Sequence, residues 1–236
     1  MATQLHQQLK ERYAEALDGT LEAVVGRYRI DVRSADRLIE VQQASLSALR
    51  DKTRDLLREH CVTIVKPIVR RRHLVKWTKP DGELLSRRLS PKRGDWWQAF
   101  DELIYFRNLF PHPNLSIDLV LVDIEEHRVA QKQRRFRGRD YRVLDRVLSE
   151  VVETRTLVTR ADALRLFPGT LPAEFDTSDI ADAWKLPRYV AQRAAYFMRE
   201  VGIAEICGKR GRSIAYRLLD LAEPTKKKRT RRRKSA

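Results

Sequence analysis

The segment Arg27-Tyr28-Arg29-Ile30-Asp31-Val32, followed after Ser34-Ala35-Asp36 by Arg37-Leu38-Ile39-Glu40-Val41-Gln42, decides how this chain is read. Both halves are rich in β-branched and aromatic residues, and the polar turn between them predicts a pair of neighbouring strands. Asp31 on one strand and Glu40 on the next are thereby set side by side. Side chains alternate across a strand with period two, so Glu40 and Gln42 are expected on one face. Two carboxylates so placed offer the hard oxygen ligands that suit Mg2+ or Mn2+ rather than zinc. The same pattern taken alone also describes an ordinary exposed strand face. The order of the surrounding elements is what gives it weight.

Leu5, Leu9, Tyr13 and Leu17 fall four apart, which predicts a helix over residues 2–17. Residues 21–25 read as a first strand and Gly26 as a tight turn. Ser45 is placed to cap a helix to about His60, with Leu46, Leu49, Thr53, Leu56 and Leu57 on its buried stripe. Cys61-Val62-Thr63-Ile64-Val65 is an apolar run suited to a strand covered on both faces.

Helix, three strands, helix, strand: this order over residues 3–68 resembles the PD-(D/E)xK nuclease core of many restriction enzymes and Holliday-junction resolvases. The resemblance implies Mg2+ (or Mn2+)-dependent hydrolysis of phosphodiester bonds, with Asp31, Glu40 and Gln42 as the catalytic residues. Asp31 and Glu40 would hold the metal, the Val41 carbonyl would be a further ligand, and Gln42 would position the attacking water. Glu22 on the first strand, or Glu15 on the first helix, would complete the acidic site. Gln42 stands where the family usually carries Lys, a departure similar to restriction endonucleases with Glu-x-Gln. A neutral amide orients water but supplies no positive charge to the transition state. Ile30 stands where the family name has Pro.

Composition points to a polyanionic partner. Lys and Arg number 48 against 32 Asp and Glu, for a formal charge of +16 and an isoelectric point near 10.2. Such a surface favours DNA, with affinity that falls steeply with salt. Cys61 and Cys207, far apart in apolar surroundings, read as buried free thiols. No Cys or His cluster has zinc-ligand spacing. The absence of a long apolar run or signal-like start predicts no membrane association and a cytoplasmic, nucleoid-associated location.

The last third carries a second pattern. Thr177 or Ser178 caps a short helix to Trp184, Leu186-Pro187 turns, and a helix to about Glu200 buries Val190, Ala194, Phe197 and Met198. Gly202 ends it, and residues 203–207 and 213–218 read as strands joined by a basic turn. This resembles a winged helix-turn-helix, a fold that docks its second helix in the major groove and lays its wing along the backbone. The resemblance makes Arg188, Tyr189, Gln192 and Arg193 candidates for base or phosphate contacts, and Lys209, Arg210 and Arg212 for phosphate. Winged helices also serve as protein-binding modules.

Between these regions, His73–Thr78 and Leu84–Leu89 predict a hairpin about Lys79-Pro80-Asp81-Gly82. Asp95 caps a helix with Trp96, Trp97 and Phe100 as core, and residues 114–123 read as a buried strand extending the sheet. Arg71, with its neighbours Arg70 and Arg72, and Lys92-Arg93 are assigned to turns, either tracking a DNA backbone or simply solvated. Residues 131–142 read as a mobile loop or DNA-contacting arm, and residues 148–158 as a strand opening the C-terminal domain, with Thr159 capping the next helix. The tail from Glu223 has eight Lys and Arg in fourteen residues, a composition that remains disordered.

The fold class expected is therefore α/β (α+β): a restriction-endonuclease-like mixed sheet flanked by helices over 1–146, a winged-helix domain over 147–222 and a basic tail over 223–236. The leading expectation is a metal-dependent DNA endonuclease. Its rival is a non-catalytic DNA-binding scaffold or regulator with a degenerate nuclease core. A transposase-partner nuclease, a homodimer and a protein partner in a larger nucleic-acid-processing complex remain open.

Overall fold

In the computed structural model, residues 3–130, 141–167 and 169–221 are described. Helix α1 (Gln4–Leu17) starts at Thr3, whose hydroxyl accepts the His6 N–H, and buries Leu5, Leu9 and Ala14. Strands β1 (Thr20–Val25), β2 (Tyr28–Arg33) and β3 (Leu38–Val41) form an antiparallel meander. Gly26 takes the first turn at φ +56°, a region that disfavours a Cβ. Ser45 caps a 3-10 turn (Leu46–Leu49) that continues into α2 (Arg50–Leu56), shorter than the single helix expected.

The largest departure from the expected elements is β4 (Val62–Trp77), one strand of 16 residues. It absorbs the expected strand, the expected hairpin arm and the arginines between them, so Arg71 lies on a strand and not in a turn. β3 runs parallel along Val62–Val65. After the turn at Lys79–Gly82, β5 (Leu84–Leu89) runs antiparallel along His73–Trp77 on the same edge of β4. Among the described residues, no strand pairs with that edge between them, and Pro67, which has no N–H to donate, sits in the gap. The other edge pairs in parallel with β6 (Leu115–Ala130), and β6 pairs with antiparallel β7 (Tyr141–Leu157). The result is a seven-stranded mixed sheet of order β1-β2-β3-β4-β6-β7, with β5 beside β4.

Hydrophobic matching dresses the two faces differently. Leu5 and Leu9 of α1 pack on Val32, Ile39, Val41, Val65, Val120 and Val122. The other face takes Leu46, Leu56 and Leu57, together with the short helix α3 (Phe100–Leu103) and the C-terminal elements. Asp95 caps the 3-10 turn before α3, as the sequence predicts, and Trp96 and Phe100 are buried.

Residues 148–157 do not open a second domain: they belong to β7, paired along β6. The expected boundary at 146/147 thus falls inside a strand. Beyond it come α4 (Arg160–Leu164), held by a Thr159–Asp162 capping box, α5 (Thr177–Trp184), α6 (Arg188–Glu200) and the hairpin β8 (Ala204–Arg210)–β9 (Ser213–Leu218). The cap of α5 is Asp176, not Ser178 or Thr177, because its carboxylate reaches the N–H groups of both Ser178 and Asp179. Gly202, at φ +74°, follows the last turn of α6. These elements share one apolar cluster with the sheet.

Both cysteines are free, but Cys61, just ahead of β4, is exposed and Cys207 is half-buried, so the expectation of buried thiols fails. Residues 131–140 of the expected basic arm at 131–142, and the expected tail from Glu223, lie outside the described residues, whereas Tyr141 and Arg142 begin β7. Among the described residues, no helix is long and apolar enough to cross a membrane.

Candidate functional site

Asp31 and Glu40 meet because of register. Val32 pairs with Ile39 and Arg33 with Leu38, so the next positions in line are Asp31 and Glu40. There the main-chain ladder stops. The Asp31 side chain takes its place, its Oδ2 accepting the Val41 N–H at 2.8 Å. The two carboxylates are close enough that the charge of Asp31 contributes to raising the Glu40 carboxyl.

Each acid has a basic partner. His6 Nε2 lies 2.9 Å from the Val41 carbonyl oxygen and 3.4 Å from Asp31 Oδ2. Lys10, buried on α1, contacts Glu22 and stands 3.8 Å from Asp31 Oδ1. Arg29 donates to the other oxygen of Glu22 at 2.6 Å. Lys52, from α2, reaches Glu40 Oε1 and the Arg29 carbonyl, both at 2.6 Å. Glu22 therefore joins the network through Lys10, while Glu15 is exposed on α1. Gln42 lies one residue beyond β3. Its N–H still donates to the Val65 carbonyl at 2.9 Å, but its amide group turns away to donate to the Ser45 carbonyl at 2.8 Å.

The electrostatics follow from these contacts. Burial pushes the Asp31 carboxyl up, but the His6 bond, the Val41 N–H and Lys10 together hold it below its ordinary value. The hydrogen bond to Asp31 raises the His6 imidazole, against the opposing effect of burial. Burial dominates at Glu40 and pushes its carboxyl up, although Lys52 opposes this.

The His6–Asp31 contact predicts a pH signature. A histidine raised in the fold contributes stability that is full below about 6.5 and lost as pH rises through its folded value. An aspartate lowered in the fold contributes stability that is full above about 3.9 and lost as pH falls through its folded value. The pair is therefore most stabilising between those limits. Urea midpoints should fall as pH rises from mildly acidic to mildly alkaline, and His6→Gln should remove that part of the slope.

A divalent cation would find oxygen ligands here and no sulfur. Val41 O and Asp31 Oδ2 already converge on one atom, His6 Nε2, so a single point is shared by both. Among the described residues, no group of three or more His, Cys, Asp or Glu side chains is placed to hold a metal ion. A cation taking the place of the His6 ring would meet Asp31 and the Val41 carbonyl there, whereas the Glu40 carboxylate is held by Lys52 of α2. The donor chemistry fits Mg2+ or Mn2+.

Sequence reasoning missed His6, Lys10 and Lys52. Their signal was present only as basic residues on the inward faces of the two helices flanking the strands, and it needed the helix placements to become legible.

The expected DNA contacts divide. Arg188, Tyr189 and Gln192 are exposed on the first turns of α6. Arg193 is also exposed but forms an ion pair with Asp101 and lies over the Tyr189 ring. Lys209 and Arg212 are exposed on the hairpin, whereas Arg210 is engaged by Asp179 and by the Glu174 carbonyl. The Arg71 side chain is exposed, and its N–H donates to Asp123. Lys92 and Arg93 line a cleft beside the open edge of β4.

This architecture defines an α+β protein with a large mixed sheet flanked by helices. The chain belongs to the family of the domain of unknown function DUF8091, whose model matches residues 3–158. That match ends one residue beyond β7, where the sheet ends. An uncharacterized protein of Treponema pallidum (strain Nichols) is 30% identical over 217 residues, covering 91% of this chain and 84% of that protein. The similarity therefore extends past the sheet into the C-terminal helices and hairpin. No solved structure matches the chain.

Proposed function

We propose that the protein is a metal-dependent DNA endonuclease with a restriction-endonuclease-like sheet, guided by a C-terminal unit of winged-helix type. The observation that carries this reading is the convergence of Asp31 Oδ2 and the Val41 carbonyl on one point, with Glu40 at the facing register position. The bound metal would lower the pKa of a water and neutralise charge on the scissile phosphate. Asp31, Glu40 and Val41 would hold it.

Lys52 answers the departure at Gln42. Its ammonium enters from α2 and meets Glu40 at 2.6 Å, with the side chain only 18% exposed. It provides the positive charge that an amide cannot, and Gln42 is left to steady the turn through Ser45. Lys52→Met should lower Mg2+-dependent cleavage by about 10²-fold, the usual scale for losing one charge-stabilising group. Binding to DNA in EDTA should stay within about twofold. Supercoiled, linear, branched and single-stranded DNA, each incubated with Mg2+ or Mn2+, test the reading directly. No strand scission on any of them ends it.

The second reading is a DNA-binding scaffold that does not cut. What favours it is that each carboxylate already has a protein cation: Lys10 and His6 for Asp31, Lys52 for Glu40, and Lys10 and Arg29 for Glu22. It predicts salt-sensitive binding unchanged by metal. Under either reading the exposed Arg188, Tyr189, Gln192, Lys209 and Arg212 face the nucleic acid, in a nucleoid-associated setting.

A further inference from the structure

The gap that β3 and β5 leave on the edge of β4 is occupied by a basic cavity of about 330 Å³. That is the lower end of the size range of small-ligand sites. Lys66, Arg72, Ser90, Lys92, Arg93 and Gly94 contribute to its lining. We propose that this cavity binds the phosphate at the end of a nucleic-acid strand. The inference rests on nucleic acid being the partner, but not on hydrolysis.

Three observations point to a built site rather than a loose basic loop. First, the residue 90–94 segment is fastened across the open strand edge: the Ser90 N–H donates to the Arg72 carbonyl at 2.8 Å, and the Gly94 N–H to the Arg70 carbonyl at 3.0 Å. A Cβ at Gly94 would stand 2.1 Å from the Val69 carbonyl oxygen, so the segment lies flat on β4 only because this residue is glycine. The Lys92 N–H is held by Ser90 Oγ at 3.3 Å.

Second, positive charge is left over. Lys66 is buried, donates to the Gln43 and Ala44 carbonyls, and lies 3.6 Å from Glu102. The other acidic residue of the lining, Asp101, is paired with Arg193. Arg72 shares the single buried carboxylate of Glu126 with Arg128 and Arg146, and its Nε is buried without a hydrogen-bond partner. Lys92 and Arg93 are exposed at the mouth, with no acidic partner among the described residues.

Third, the cavity is in the right place. Its floor residue Lys66 holds the carbonyls that immediately follow Gln42, and its wall residue Asp101 holds Arg193 of α6. It therefore adjoins the segment that follows Gln42 on one side and Arg193 of α6 on the other. A phosphodiester running over a surface meets cations singly, whereas a terminal phosphate carries about −1.5 to −2 charge and three acceptor oxygens. A cavity with several converging donors suits the second.

The test uses the full chain in EDTA, where cleavage is excluded, at fixed ionic strength. Short single-stranded oligonucleotides carrying a 5′-phosphate, a 3′-phosphate or hydroxyls at both ends are compared by fluorescence anisotropy. One phosphorylated form should bind about tenfold more tightly than the hydroxyl form. That preference should vanish in Lys92→Gln/Arg93→Gln, persist in Lys92→Arg/Arg93→Lys, and persist in Asp31→Asn. Equal binding of all three oligonucleotides overturns the phosphate site while leaving the nucleic-acid reading intact. No binding of any overturns both. A preference retained in the double glutamine variant places the phosphate elsewhere and overturns the assignment to this cavity.

Discussion

Asp31→Asn is expected to leave the protein folded and to reduce Mg2+-dependent DNA cleavage by about 10²–10³-fold, the scale of losing one preorganised charge-stabilising group. Asparagine has nearly the shape of aspartate, and its amide oxygen can still accept the Val41 N–H that Asp31 accepts at 2.8 Å. The end of β3 thus keeps its anchor. What disappears is the negative charge, and with it the strongest of the proposed ligands for a divalent cation. Lys10 keeps Glu22 as a partner, so no lysine is stranded without a counter-charge. The stability cost should accordingly be about 1 kcal/mol, well below the 3–5 kcal/mol of an orphaned buried ion. Affinity for DNA in EDTA should be unchanged or slightly higher, since one negative charge has been removed from a surface that, on the proposed reading, would meet phosphate. Cleavage by Asp31→Asn at the parental rate would refute the metal-ligand role outright. If the parent itself does not cut but binds DNA with a steep salt dependence, the scaffold reading stands.

Asp31, Glu40 and the strands bearing them were legible from sequence because period-two alternation and turn chemistry act over a few residues. The C-terminal end of α1, the cap at Asp95, the turn at Lys79–Gly82 and Gly202 after α6 were legible for the same reason. The length of β4 was not. Arg70-Arg71-Arg72 read locally as an interruption, and only pairing along the whole of β6 overrides it. The boundary of the sheet failed in the same way. Residues 148–157 are polar enough to read as the start of something new, yet β7 is an edge strand of the large sheet, where one side of each residue meets solvent. The cations of the site were illegible for a different reason. His6, Lys10 and Lys52 come from helices whose approach to the sheet is set by tertiary packing, so no spacing in the sequence announces the acid each one meets.

Phe100→Ala should produce the largest loss of stability of any single substitution considered, about 3–5 kcal/mol. Phe100 is fully buried at the start of α3. Its ring stacks on Phe167 at 4.4 Å and tilts against Phe197 of α6 at 5.9 Å, while Phe167 stacks in turn on Trp184 of α5 at 3.7 Å. Truncation removes the burial of a large side chain and two aromatic contacts, each worth about 0.5–1.5 kcal/mol beyond area. The rings facing the void come from the bend after α4 and from α6, backed by Trp184 of α5, and cannot all close on it. For a protein of this size the melting temperature should fall on the order of 10 °C. The shape of the transition discriminates as well as its position. Because the C-terminal helices and the sheet share one apolar cluster through Phe100, the parent should unfold in a single transition and the variant should shift all of it. A parent that melts in two steps, with Phe100→Ala moving only the one carrying α5 and α6, would show that the C-terminal unit folds on its own. The aromatic seam would then be an interface between independent domains and not a common core.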